Sequence, residues 1–321
     1  MFGWVGRRGR YIIAATVLFT SVLIAYLCVD IVRRQDIRRR QSALRDSGIY
    51  ASFFADGSVR SIEYVPFGSD LPELGERREP DLAIVASSAK LDALSLRGTK
   101  FTDEYMARLR ELPSLTHLDL SDTAITSASL HYLSRFSSLR RLQLNRTGIT
   151  TFPDAFIPTL ASLKSLELAN CRLQGDALAR LSSGKSLEYL DLRGVCLSSD
   201  AISAIAQLRG LTHLMIELNP PQSNNSCPPL PAAAWARLEV LKTLEFIDIS
   251  NSSCSDASLR RLCNLPKLSY LTLIGNPITD DGLLCLHQLD APREIFLQNT
   301  KVTLGGVQDL RIRFPHCNVG Y

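Results

Sequence analysis

Apolar residues recur along most of this chain in a phrase of 24 residues that is lengthened once. Each copy has apolar residues at its first, fourth and sixth positions, as in Leu115, Leu118 and Leu120. The alternation at the fourth and sixth positions is typical of a short strand with one buried face. The copies begin at Leu91, Leu115, Leu139, Leu163, Leu187, Leu211, Leu244, Leu268 and Pro292. A fixed period of this length predicts a solenoid, whose units bury their apolar faces only by stacking.

The second part of each copy has a spacing that predicts a short helix. Apolar residues there fall three apart, as at Leu130, Leu133 and Phe136, which suits one face of a helix. Threonine or serine precedes several of these segments and aspartate follows it, a pattern typical of N-caps and acidic first turns. The predicted caps are Thr102, Thr126, Ser198, Ser255 and Thr279, and the acidic residues are Asp103, Asp256 and Asp280.

The ninth position of each copy is compact and in most copies polar. A tight turn between strand and loop has room only for such side chains, and a polar one can hydrogen-bond the backbone of the neighbouring coil. We therefore expect the turns to link successive coils. The ninth residues are Thr99, Thr123, Thr147, Cys171, Val195, Asn219, Ser252, Asn276 and Thr300.

Two copies depart from the pattern. In the third copy, Phe152, Pro153 and Phe156 stand where the helical spacing is expected, which predicts a shifted or irregular helix. The sixth copy is 33 residues long, and its extra segment, residues 219–231, is rich in proline, serine and asparagine. This composition predicts a surface loop, which either carries recognition or is a tolerated insertion.

The repeated phrases resemble those of the leucine-rich repeat family, in its short, cysteine-containing bacterial type. Two stretches that carry the resemblance are Leu120-Ser-Asp-Thr-Ala-Ile-Thr126 and Ile274-Gly-Asn-Pro-Ile-Thr-Asp-Asp-Gly-Leu283. The resemblance covers roughly residues 80–321. It implies an α/β solenoid with short parallel strands on its concave face and short helices on its convex face. It also implies binding and not catalysis, by analogy between folds.

The third, fifth and seventh positions line the concave sheet in this family, so a partner is expected to bind there. From the fifth copy onward these positions collect aromatic and apolar residues with acidic residues between them, a composition typical of binding hot spots. The candidate residues are Tyr189, Asp191, His213, Met215, Glu217, Phe246, Asp248, Tyr270, Ile274 and Phe296. The hypothesis is a protein or peptide partner with a basic, partly apolar surface. The alternative is that strand propensity alone placed the aromatic residues there.

The first fifty residues differ in character from the rest. Residues 11–29 are uncharged and as a helix are long enough to span a bilayer. Arginines flank them on both sides, and the larger number on the C-terminal side favours a cytoplasmic solenoid. The predicted order is a basic tail at 1–10, a transmembrane helix at 11–29, an Arg-rich juxtamembrane helix at 30–48, a strand-rich cap at 49–80 and the solenoid at 81–321, with a loop inserted at 219–231. The predicted localisation is therefore a single-pass membrane protein, although an extracellular or periplasmic solenoid stays open.

Charge is distributed unevenly along the chain. The formal net charge is +4, but residues 1–50 hold nine arginines and three aspartates, so residues 51–321 carry a net −2. The solenoid therefore has no electrostatic footprint for phosphate, and nucleic acid is not an expected partner.

Motifs of catalytic or metal chemistry are missing from the sequence. It contains no phosphate-binding loop, no dinucleotide fingerprint, no Cys-x-x-Cys pair and no His-Glu-x-x-His. No enzyme activity, cofactor, metal or small-molecule substrate is predicted, and the runner-up to a binding module is a structural scaffold without a single dedicated ligand.

Cysteines show no spacing that indicates a disulfide framework. Seven of the eight follow the predicted span, an odd number, and Cys254 replaces a core aliphatic residue, which suits a reduced thiol. Cys196 and Cys227 are expected in exposed turns.

Overall fold

The computed structural model describes residues 29–45, 49–64, 80, 82–86, 88–219 and 227–321 of the chain. A single sheet of twelve strands runs through these residues, and its strand order follows the order of the chain. β1 and β2 are antiparallel, and every later neighbour pair is parallel. The strands are β1 Ile49–Phe53, β2 Val59–Tyr64, β3 Ala93–Ser95, β4 His117–Asp119, β5 Arg141–Gln143, β6 Ser165–Glu167, β7 Tyr189–Asp191, β8 His213–Met215, β9 Phe246–Asp248, β10 Tyr270–Thr272, β11 Glu294–Phe296 and β12 Asn318–Gly320.

Short helices connect the strands on the opposite face. The α-helices are α1 at residues 29–45, α2 Leu82–Ala86, α3 Asp103–Arg108, α4 Ile157–Ser162, α5 Gly175–Arg180, α6 Ser199–Ile205, α7 Ala232–Ala236, α8 Asp256–Leu262, α9 Asp280–Leu283 and α10 Leu304–Arg313. Turns of 3-10 helix lie at Ser127–Arg135, Asp154–Phe156, Leu181–Ser183, Arg237–Val240 and Leu284–Gln288. The expected irregular helix of the third copy is confirmed, because a 3-10 turn precedes α4 there.

The predicted solenoid of parallel strands is confirmed by this topology. Strands β3 to β11 occupy the third to fifth positions of each copy, with the fourth position buried and both flanking positions at least partly turned to the concave side. Leucines at the first, fourth and sixth positions fill the interior; Leu139, Leu142 and Leu144, for example, are fully buried. Each coil thus contributes one layer of a continuous core.

A hairpin covers the N-terminal edge of the sheet. The Asp56-Gly57 pair is a sequence signal typical of a two-residue hairpin turn, and β1 and β2 pair across it, with Gly57 at a φ of 83°. The Asp56 carboxylate accepts a hydrogen bond from the Ser58 backbone N–H at 2.9 Å. β2 then pairs in parallel with β3 and starts the solenoid sheet.

The predicted membrane localisation is wrong, because the structure contradicts it. Within the described ranges no helix has both the length and the apolar character that crossing a membrane requires. Helix α1 carries six arginines between residues 29 and 45. The predicted tail at 1–10 and all of the predicted span except Val29 lie outside the described residues.

The predicted acidic first-turn residues prove to join neighbouring coils. Asp280 accepts hydrogen bonds from the backbone N–H and the hydroxyl of Thr303 in the next coil, at 2.8 and 2.7 Å. Asp256 holds Thr279 in the same way, at 2.9 and 2.7 Å, and Asp103 holds Thr126. These aspartates therefore clasp one coil to the cap of the next helix.

The predicted caps are confirmed in part. The side chains of Thr126, Ser198 and Ser255 accept hydrogen bonds from backbone N–H groups of the first helical turn. Thr102 and Thr279 lie at the N-cap position in extended conformation but make no such bond.

The ninth-position side chains act in two ways. Threonines there, such as Thr123, donate to the carbonyl three residues earlier in their own turn. The expected link to the neighbouring coil is made by Cys171, Ser252 and Asn276, which reach carbonyls of the preceding coil. A threonine hydroxyl has one hydrogen to donate, and in Thr123 that hydrogen goes to the carbonyl of its own turn.

Two disulfides contradict the expectation of a reduced set of thiols. Cys196 pairs with Cys227, with Cα atoms 5.4 Å apart, and Cys263 pairs with Cys285, at 5.9 Å. Both separations suit a disulfide. The sequence separations of 31 and 22 residues differ from the repeat period, so sequence spacing did not reveal them. Such bonds persist in oxidising environments.

Cysteine replacement tests the longer of these cross-links. Cys227→Ser should lower the free energy of unfolding by about 2–4 kcal/mol, because the loop that the bond closes regains its freedom in the unfolded chain. Urea denaturation measures this, with Cys317→Ser, at a free cysteine, as the control. Peptide mapping without reductant should recover Cys196 joined to Cys227; free alkylation of both would contradict the bond.

Removal of one aspartate clasp tests its contribution. Asp280→Ala should lower the free energy of unfolding by about 1 kcal/mol, since the Thr303 N–H loses a charged acceptor. Asp281→Ala is the matched control, because Asp281 lies in the same first turn of α9 and has no clasp among the described residues. Thermal melts followed by circular dichroism compare the two; equal losses would show that only helix electrostatics matter.

Candidate functional site

Four rings form a continuous stack across the concave face of the second half of the solenoid. They are the third residues of four successive coils: Tyr189, His213, Phe246 and Tyr270. Neighbouring ring centroids lie 5.9, 5.7 and 6.1 Å apart in that order, with interplanar angles of 30°, 18° and 31°. Both measures fall within the range of favourable aromatic pairs. We call this row the aromatic ladder.

The ladder follows from the register of the sheet. The Cα atoms of Tyr189, His213, Phe246 and Tyr270 are direct partners on adjacent parallel strands, and such strands lie about 4.8 Å apart. The rings are therefore forced to stack on one another along the sheet. Most ring faces are covered by the next ring, and the ladder presents ring edges to the concave side.

Polar contacts hold the first two rings in place. The Tyr189 hydroxyl donates a hydrogen bond to the Met215 sulfur at 3.3 Å, and the His213 Nδ1 lies 2.9 Å from the Thr212 hydroxyl. Burial raises the pKa of Tyr189 to about 12, and the negative charges of Asp191 and Glu167 add to this effect. The phenol therefore stays protonated at neutral pH and remains a donor.

The structure buries Asp191, a candidate that was expected on the open concave face. Its side chain is fully buried and forms an ion pair with Arg193, with Nη2 and Oδ2 2.6 Å apart. Its Oδ1 also accepts from the Arg193 backbone N–H at 3.0 Å, and hydrogen bonding to Asp191 raises the pKa of Arg193. Asp191 thus fixes Arg193 and does not itself face the concave side.

Two other acidic candidates keep part of their carboxylate accessible. Glu217 accepts from the Asn251 amide at 2.7 Å. Asp248 accepts from the backbone N–H and hydroxyl of Ser250 at 2.9 and 2.6 Å, both at Oδ1. Within the described residues the second oxygen of each carboxylate accepts no hydrogen bond, so each can receive a donor from a partner.

The last two candidates lie apart from the ladder. Ile274 is at a seventh position, and Phe296 is at a fifth position, where its strand neighbours are Thr272 and Gly320. The ring of Phe296 occupies the space that a Cβ atom on Gly320 would need. These two side chains flank the concave face but do not extend the stack.

A hollow of about 770 Å³ lies on the concave face of the first half of the solenoid and meets the ladder at Tyr189 and His213. Most of its lining residues carry polar side chains. The lining residues are Ser61, Ile62, Glu63, Ala93, Leu94, Ser95, His117, Leu118, Asp119, Arg141, Gln143, Lys164, Ser165, Glu167, Glu188, Tyr189, Thr212 and His213. The concave face therefore has a polar hollow that leads into an aromatic row.

The sequence-based candidates missed the polar residues where hollow and ladder meet. Glu167 accepts hydrogen bonds from the amides of Gln143 at 2.9 Å and Asn145 at 2.8 Å. Lys164 pairs with Glu188 at 2.5 Å. The only signal was their position, because Glu167 occupies the fifth position of its coil like the candidates that were chosen.

No group of three or more histidine, cysteine, aspartate or glutamate side chains is placed to hold a metal ion within the described part of the chain. The two histidines at third positions, His117 and His213, lie on β4 and β8. Burial lowers the pKa of His117, and the charge of Arg141 lowers it further. His213 is a member of the ladder.

Truncation of Asp191 tests its assignment as a structural residue. Asp191→Ala should lower the free energy of unfolding by about 1–3 kcal/mol, since Arg193 loses its buried acceptor. Asp248→Ala is the matched control at the same position of another coil and should cost less. Urea denaturation of both variants gives the comparison, and equal stability of the wild type and Asp191→Ala would contradict the assignment.

Comparison with known proteins finds a family match over part of the chain and a similar fold over most of it. Residues 113–173 match the leucine rich repeat family. An internalin (inlF) from Listeria monocytogenes is 20% identical, with 81% of this chain and 79% of that chain covered and a TM-score of 0.52. The LRR ectodomain of the plant membrane receptor kinase GASSHO1/SCHENGEN3 from Arabidopsis thaliana, solved in complex with CASPARIAN STRIP INTEGRITY FACTOR 2, is 18% identical, with 79% and 29% covered and a TM-score of 0.48. An internalin C2 (inlC2) from Listeria monocytogenes is 24% identical, with 70% and 84% covered and a TM-score of 0.48.

The family match covers two of the 24-residue coils and part of a third, and the likeness to inlF extends the fold over most of the chain. Both agree with the parallel strands and buried leucines seen from coil to coil. Residues 113–173 are therefore similar to the leucine rich repeat family, and most of the chain shares its fold with inlF.

Proposed function

We propose that this chain is a binding module for a protein or peptide partner and performs no catalysis. The observation that carries the proposal is the aromatic ladder, a row of four stacked rings on the open face of a rigid sheet. Aromatic side chains that are already ordered lose little conformational entropy on binding, which is why they dominate binding hot spots.

The charges around the ladder indicate which kind of partner surface would be complementary. On the second, third, fifth and seventh positions of the coils that carry β6 to β11, acidic residues outnumber basic ones. The acidic residues are Glu167, Glu188, Asp191, Glu217, Glu245, Asp248 and Glu294, and the basic residues are Lys164, Arg193 and Arg293. Lys164 and Arg193 are already paired with Glu188 and Asp191. The remaining excess is acidic, so the complementary partner is basic and partly apolar.

The shape of the concave face favours an extended segment of the partner. The ladder runs across four strands, which corresponds to about 14 Å along the sheet. Met215 and Asp248 stand beside it in the fifth-position row, on strands that also carry ladder rings. A peptide along the ladder would therefore meet apolar rings on one side and carboxylates on the other.

Replacement of two ladder rings tests the proposal. Peptides should first be selected on the wild-type chain from a random display library and their affinities measured by calorimetry. The double variant Phe246→Ser, Tyr270→Ser should bind them at least about tenfold more weakly, since hot-spot truncations cost 2 kcal/mol or more. Binding should also weaken as salt rises, because the charges are solvent-exposed.

Ile312→Ser is the matched control, since Ile312 is a strongly exposed apolar residue on helix α10. It should leave affinity unchanged. Circular dichroism melts establish that the double variant is folded. Selection of no peptide family on the wild type, or equal affinity of the wild type and the folded double variant, would sink the proposal.

A further inference from the structure

Among the described residues the aromatic ladder ends at Tyr189 and Tyr270, and a non-aromatic residue occupies the third position of the next strand at each end. The face of Tyr270 that points away from Phe246 is turned toward β11, where Glu294 occupies the third position. The face of Tyr189 that points away from His213 is turned toward β6, where the third residue is Ser165. Serine is too small to cover a tyrosine ring. In the described part of the chain, no aromatic ring covers that face of Tyr189.

The gap above Ser165 belongs to the concave hollow and not to the core. Ser165 and Tyr189 both line the hollow, as does Arg141 on the strand beyond. Arg141 and Tyr189 stand two strands apart, which places their backbones about 10 Å from each other. That separation leaves room for one planar group above Ser165, stacked against Tyr189.

The electrostatics of this gap favour a cation. Glu167 lies two residues after Ser165 and therefore on the same face of the strand. It accepts two amide hydrogen bonds, and a carboxylate can accept about four. Of the two cations that line the hollow, Lys164 is engaged by Glu188, and Arg141 is the direct strand partner of Ser165. Four carboxylates line the same hollow, those of Glu63, Asp119, Glu167 and Glu188, so negative charge is in excess there.

We propose that the gap above Ser165 is a subsite for one arginine side chain of the partner. The guanidinium group stacks on the open face of Tyr189 and donates hydrogen bonds to Glu167. Arginine suits the subsite better than lysine, because its planar group combines stacking with directed bonds to a carboxylate. The inference rests on the proposed function, and it specifies what enters at the junction of hollow and ladder.

Filling the gap tests the subsite. Ser165→Phe extends the ladder by one ring and occupies the space without changing charge. It should weaken the binding of the peptides selected on the wild-type chain at least about tenfold. The matched control is Asn318→Phe, an exposed residue at the equivalent strand position of β12 and outside the hollow, which should leave their affinity unchanged.

A change in the peptide gives an independent readout. The selected peptides should share an arginine, and its replacement by citrulline, which keeps the planar shape and loses the charge, should weaken binding to the wild-type chain about tenfold. The same replacement should weaken binding to the Glu167→Gln variant much less, since the charge partner is gone. This double-mutant comparison detects coupling even if either change alters folding slightly.

The outcomes separate the subsite from the docking surface. If Ser165→Phe binds like the wild type, or the selected peptides carry no arginine, the subsite is refuted. If the ladder variant still loses binding in that case, the proposed function stands without the subsite. If neither variant changes affinity, both proposals are wrong.

Discussion

The burial of one leucine layer between successive coils is the constraint on which this structure depends. A single coil has too little interior to hide its own first, fourth and sixth residues, so it folds only against a neighbour. Leu142, Leu166 and Leu190 are fully buried in consecutive coils and pair directly across the sheet. Truncating one of them to alanine in such a core costs about 2–5 kcal/mol. Everything on the concave face inherits its spacing from this stacking.

Polar side chains fix the relative positions of successive coils, which the packing of leucines alone does not determine. The aspartate clasps each tie a helix start to the cap of the next coil. Burial raises the pKa of Asp103, but hydrogen bonds from Ser129 and Thr126 outweigh it, so the pKa lies below its ordinary value. A carboxylate of this kind stabilises the fold above its unfolded pKa and loses that contribution as pH falls through the folded pKa. The Asp103 clasp therefore acts at neutral pH and releases only in acid.

The repeat itself was readable from the sequence, because a period of 24 residues and a change from alternating to three-residue spacing are local signals. The strands, the convex helices and the hairpin at Asp56 and Gly57 follow from such signals. Contacts between residues far apart in sequence did not show themselves in this way. The Cys196–Cys227 bond joins two coils at a separation that no repeat spacing marks. The burial of Asp191 was not readable either, although its partner Arg193 is only two residues further along the chain.

The sequence predicted which candidate residues share one face of the sheet, but not which of their side chains contact one another. Period-two alternation placed Tyr189, His213, Phe246 and Tyr270 on one face, while the stacking of their rings depends on strands that pair without a shift. The sequence pattern also drew attention to aromatic residues and away from Ser165. A small residue in such a row becomes a candidate only when the rings beside it are known to stack, because the ring next to the small residue then has an uncovered face.

Continuity of the ladder across the inserted segment has its own physical basis. His213 and Phe246 are 33 residues apart, yet their Cα atoms pair directly. The chain returns to register because the Asn219 side chain accepts from the Cys227 backbone N–H at 2.7 Å, and because Cys227 is bonded to Cys196 in the preceding coil. Asn219 and Cys196 belong to the coils that carry His213 and Tyr189. The cross-link and this hydrogen bond thus tie Asn219 and Cys227, which flank the insertion, to the coils that carry the first two rings.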